Sequence, residues 1–168
     1  VKPWLDTSDE GDRSKIAKAL IDLANHRGGD LLLGHEERDD KTIAPDPDRP
    51  DPLVGYNTDA INAVVAKYAE PEFHCSLALV IHPDSGDAFP IVRVPGGHTS
   101  PIRARRDGES IRRNSYYIRR PGPKSEVPQT GHEWDELLQR CIRNGRERLL
   151  EAIRVALGDA QAVRSSEP

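Results

Sequence analysis

Apolar positions near the start of the chain fall at helical spacing. Ile16, Ala17, Leu20, Ile21 and Ala24 form one stripe, with Thr7, Ser8 and Asp9 placed to cap it. Asn25 suits the last turn or the left-handed position after it, and Gly28-Gly29 takes positive φ without a Cβ clash. Leu31 to Leu33 are apolar on consecutive positions, which predicts a strand covered on both faces. Thr42-Ile43-Ala44 reads as a short return strand, and the proline-rich run 45–52 as a stiff surface loop. A second helix follows, capped by Asn57 or Thr58, with Ile61, Val64, Val65 and Tyr68 inward and Pro71 beyond its end.

The second half reads as strands, then helices. Phe73, Cys75, Leu77, Leu79 and Ile81 alternate with polar positions, predicting a strand with one buried face, paired with Phe89 to Val94. Ile102 to Arg106 and Ser115 to Arg120 predict a further hairpin. Thr130-Gly131-His132-Glu133 is a capping box opening a helix with Trp134, Leu137, Leu138 and Cys141 inward. Asn144-Gly145 is expected to break it, leaving a last helix over 146–157 with Leu149, Leu150, Ile153 and Leu157 as its stripe. The pattern predicts an α+β fold: a mixed β-sheet with hairpins and helices packed on the sheet. The expected divisions are a domain over 1–128, a helical extension over 129–160 and a disordered tail over 161–168.

Read as motifs, Ala24-Asn25-x-x-Gly28-Gly29-x-Leu31-Leu32-Leu33-Gly34, followed by acids, resembles the Schlafen AlbA-type (divergent AAA) domain. Tyr116-Tyr117-Ile118-Arg119-Arg120 is similar to that family's second signature, and Pro71 and Val94-Pro95 match its spacing. It departs in two ways: His35 replaces an aliphatic residue, and Glu36-Glu37 stand where the family has Asp. Val1-Lys2 would match the end of the family's Glu-hydrophobic-Lys segment. The resemblance implies a Schlafen AlbA-type fold over about the first four-fifths of the chain. It also implies nucleic-acid binding within a larger bacterial-type regulatory or defence protein.

Composition changes the picture in three ways. The 168 residues carry a net charge of -4 and a mean hydropathy of -0.68, which speaks against diffuse affinity for polyanions. Eight of the 24 Lys/Arg nevertheless fall between Pro101 and Lys124, against only Asp107 and Glu109, so a basic stripe lies on an acidic body. With two distant cysteines and no run of membrane length, a cytoplasmic setting and no membrane partner are expected. The chain has no methionine, even at position 1, so it is expected to begin inside something longer or processed.

Within the stripe, Arg103, Arg105, Arg112, Arg113, Arg119, Arg120 and Lys124 are the candidate nucleic-acid contacts. Guanidinium groups fork onto phosphates, and Tyr117 would offer a stacking face to an unpaired base. The competing reading is a solvated hairpin whose arginines pair with the acidic body. Glu36 and Glu37 are the candidate catalytic acids and metal ligands, since carboxylates at a strand end hold Mg²⁺ or Mn²⁺ in phosphodiester cleavage. Their matching acid would fall just before Val1, so the chain is expected to bind without cutting and to need no cofactor. The histidines and cysteines show no zinc spacing. Gly122-Pro123-Lys124-Ser125 lacks the strand–loop–helix context of an ATP-binding loop. The leading expectation is therefore a nucleic-acid-binding module, DNA or RNA. A metal-dependent endoribonuclease and a protein-interaction or dimerisation module, through a homodimer or further domains, are the alternatives.

Overall fold

A computed structural model of the chain describes residues 1–120 and 124–165. Helix α1 spans Glu10–His26, capped by Asp9, whose carboxylate accepts from the Asp12 N–H at 2.9 Å. Glu10 and Asp12 in its first turn complement the helix dipole. The expected stripe is buried along its whole length. At the other end the Gly28 N–H returns to the Leu23 carbonyl at 2.9 Å, and Gly28 takes φ 75°. A Cβ there would sit 2.5 Å from the Val94 carbonyl oxygen, so the left-handed turn and the close crossing both require glycine.

Strand β1 (Gly29–Leu32) pairs antiparallel with β6 (Ala88–Val94), which pairs antiparallel with β5 (Ser76–Ile81), giving the order β1-β6-β5. Leu31 lies opposite Val92, and both are buried beneath α1 and α2 (Thr58–Tyr68). Asn57 caps α2, and Ile61, Val64, Val65 and Tyr68 are its buried residues, as the periodicity predicts. Three two-stranded ladders complete the fold: β2 (His35–Glu37) with β3 (Ile43–Pro45), β4 (Ala69–Glu70) with β7 (Arg103–Ala104), and β8 (Ile118–Arg120) with β9 (Lys124–Glu126). Lys2 bridges Leu33 in parallel, donating to the Leu32 carbonyl and accepting from the His35 N–H. The class is α+β, but the expected single mixed sheet resolves into several small antiparallel ones.

Asn25 joins the distant parts. Its amide nitrogen donates to the carbonyls of Ile102 (2.7 Å) and Tyr117 (3.0 Å), and its oxygen accepts from the Ile102 N–H at 2.8 Å. A buried amide satisfied by backbone on both ends is a structural tie.

Four local expectations are corrected. The long hairpin shrinks to a single bridge, Arg103 to Tyr116, because Ala104 and Arg105 also bond Ser115, Asn114 and Tyr68. The chain between them folds inward on Ile111, which is 1% exposed. Strand β5 begins after Phe73 and Cys75, and its apolar far end, Leu79 and Ile81, stays exposed at the sheet edge. Helix α3 runs unbroken over Gly131–Ser165, with the capping box formed as expected between Thr130 and Glu133. Asn144, inside it, donates to the His98 carbonyl at 2.8 Å, so tertiary contact overrides a local break signal. Leu138, Leu149, Leu150 and Ile153 are exposed along α3, whereas Leu137 and Cys141 pack inward. The last three positions of the expected tail, 166–168, and Gly122-Pro123 lie outside the described residues.

Candidate functional site

Helix α1 has a polar line opposite its core stripe. Lys15, Lys18 and Asp22, spaced three and four residues apart, share one side of the helix. That line faces a cleft of about 600 Å³ whose other walls are Lys2, β1, β2 and the β8–β9 ladder. Arg119 and Lys124 reach it from the ladder, Asp30 from β1, and Glu36 and Glu37 from β2. Five cationic side chains, at positions 2, 15, 18, 119 and 124, thus border one depression together with five carboxylates, at positions 22, 30, 36, 37 and 126. Among the described residues, Lys2, Lys18 and Lys124 form no ion pair, while Lys15 pairs with Asp12 at 2.9 Å.

Asp22 lies at the floor, 1% exposed. Its Oδ2 accepts from the Ser125 hydroxyl at 2.7 Å and sits 3.7 Å from an Arg119 nitrogen. Its Oδ1 is buried without a partner. Burial pushes the carboxyl's pKa up, against the opposing pull of Ser125, Arg119, Lys18 and Lys2. Burial also lowers the Lys2 ammonium, with Lys18 adding to the shift and Asp22 opposing it. The floor therefore holds one buried carboxyl with Lys2, Lys18 and Arg119 around it.

The basic stripe does not act as a unit. Arg119 and Lys124 border the cleft; Arg103, Arg105, Arg112, Arg113 and Arg120 do not. Arg103 pairs with Glu70 at 3.0 Å, and Arg105 with Glu72 at 2.9 Å. Arg120 forks onto Glu126 (2.9 Å) and Glu133 (2.7 Å), fastening β8 to the start of α3. That contact, with the N–H groups of Gln129 and Thr130, holds the Glu133 carboxyl down to about 2. Arg112 and Arg113 are exposed on the loop around Ile111. Much of the stripe thus neutralises the acidic body, as the competing reading expected.

Tyr117 is corrected as a stacking platform. It is 4% exposed, its hydroxyl accepts from the Arg112 N–H at 2.8 Å, and Lys18 lies over its ring at 5.2 Å. A base cannot reach a face that the core already covers.

Glu36 and Glu37 are exposed at the cleft mouth. Neighbours on a strand turn to opposite faces, so the pair does not chelate one ion. Among the described residues, no three His, Cys, Asp or Glu group closely enough to hold a metal.

Sequence reasoning missed Lys2, Lys15, Lys18 and Asp22. The available signal was the Asp within an Ala-, Leu- and Ile-rich stretch of α1, one turn from Lys18 on the side opposite the core stripe.

No family model matches the chain, and no curated protein matches it. Among solved structures, the DIP2311 protein from Corynebacterium diphtheriae is similar at 17% identity and a TM-score of 0.49. The match covers 83% of this chain and 21% of that one, so the chain spans about a fifth of that protein's length. No helix among the described residues is long and apolar enough to cross a membrane.

Proposed function

We infer that the chain is a nucleic-acid-binding module that grips phosphate in the cleft beside α1. The observation carrying this reading is the convergence of Lys2, Lys15, Lys18, Arg119 and Lys124, from four separate segments, on one depression. Cations that pair with the protein's own acids are neutralised, but three of these five are not paired among the described residues. The unpaired lysines give the α1 and β9 side of the cleft a positive edge that a phosphate backbone can meet, away from the acids of β1 and β2. The resemblance to the Schlafen AlbA type supports the same reading, since its motif positions Lys2, Glu36, Glu37 and Arg119 all border this cleft.

Fluorescence anisotropy of labelled single-stranded and duplex oligonucleotides, titrated at several salt concentrations, tests it. Affinity should fall steeply with salt, and replacing Lys18 and Lys124 together by Ala should weaken binding and flatten the log–log slope by about 2. Unchanged slope and affinity in the double variant would remove the cleft as the binding surface.

A further inference from the structure

We propose that the floor of the cleft is a subsite for a terminal phosphate monoester, so that a nucleic acid enters end-on. This rests on the nucleic-acid reading above and narrows it to strand ends.

Three observations lead there. The first is Asp22 itself: a carboxyl 1% exposed, bordering the cleft, with Oδ2 engaged by Ser125 and Oδ1 unpartnered. A buried polar atom without a partner is costly, so a ligand that completes it gains complementarity. The second is the set of charges around it. Lys18 faces it from α1, Lys2 from the N-terminal segment, Arg119 from β8 and Ser125 from β9. At the floor, three cations match a dianionic monoester better than the single charge of an internal diester; the cleft's other acids, Asp30, Glu36, Glu37 and Glu126, belong to β1, β2 and β9. The third is size. At about 600 Å³ the cleft lies within the range of single-ligand sites, roughly one nucleotide rather than a strand passing through.

A carboxyl beside a phosphate would ordinarily repel it. Here one proton serves both groups. A phosphate monoester loses its second proton near pH 6, and burial raises the affinity of Asp22 for a proton. Whichever group holds the proton donates it to the other across Oδ1, and the three cations more than offset the two negative charges that remain. An internal diester brings no proton, and neither does sulfate at neutral pH, so both forgo half of this exchange.

The test uses the 168-residue chain and one oligonucleotide sequence made with a 5′-phosphate, a 3′-phosphate or two hydroxyl ends. One phosphorylated form should bind about tenfold tighter than the hydroxyl-ended form, equivalent to about 1.4 kcal/mol. Inorganic phosphate should displace that form, while sulfate at matched ionic strength should displace it far less. Lys18→Gln should bring the phosphorylated and hydroxyl-ended affinities together, with an unchanged melting curve showing that the fold is intact. Equal binding of all three ends overturns the subsite and leaves the nucleic-acid reading standing. A nucleoside monophosphate that binds as tightly as the oligonucleotide overturns the strand-end assignment in favour of a free nucleotide. Failure of every oligonucleotide to bind at low salt overturns both readings.

Discussion

Asn25 and Ile102 exchange two hydrogen bonds, side-chain amide to backbone, across 77 residues of sequence. The pair copies the reciprocal bonding of a β-ladder with a single side chain, at the last turn of α1. Asn25→Ala should therefore strand the Ile102 N–H and carbonyl and the Tyr117 carbonyl inside the core. The expected loss is about 2–4 kcal/mol in chemical denaturation, with the m-value unchanged. A loss below about 0.5 kcal/mol would show that these groups find other partners.

Gly28 and Gly86 share nearly the same backbone angle, φ 75° and 74°, in different surroundings. A Cβ at Gly28 meets the Val94 carbonyl, while one at Gly86 meets nothing within 4 Å. Gly86→Ala should thus carry only the left-handed penalty, about 1–2 kcal/mol. Gly28→Ala should cost clearly more, because the α1–β6 crossing must open. Equal losses in thermal melts would mean that the crossing yields freely.

Arg119 and Arg120 are neighbours with separable roles. Arg119→Ala should weaken oligonucleotide binding by about 1–3 kcal/mol and leave the melting temperature nearly unchanged. Arg120→Ala should lower the melting temperature by freeing Glu126 and Glu133, with little effect on affinity. The reverse assignment in the two assays would move the binding surface off the cleft.

Acid should loosen the joint between β8 and α3. Glu133 ionises at about 2 in the folded chain against a usual 4.5. A depressed carboxyl contributes stability that is fully present above its unfolded pKa and is lost as pH falls from 4.5 towards 2. Glu133→Gln should therefore lower the melting temperature at pH 7 and have a shrinking effect as the buffer approaches pH 2. A constant difference across that window would show that the charge is not what holds the joint.

The elements that could be read from the chain were those set by neighbours in sequence. The stripe of α1, the Asn57 cap, the inward face of α2 and the Thr130–Glu133 box are each decided within one or two turns. The hairpin around Asp107-Gly108 was not, because Arg105 answers to Tyr68 and Ile111 sinks into the core. Neither signal is local. The cleft was hidden for a related reason. Lys15, Lys18 and Asp22 share one side of α1, but the β8 and β9 strands that face them lie far along the sequence. Arginines 103, 105 and 120 looked available because their acidic partners lie 33, 33 and 6 or more residues away.

The cleft also sets a schedule. Lys2 and Asp22 emerge from a ribosome long before Arg119 and Ser125, yet the floor needs all four. Until the β8–β9 ladder closes over α1, the nascent chain holds scattered lysines and an ordinary hydrated aspartate. The site thus forms only once β9 has been made. Its occupation would report that both ends of the domain have met.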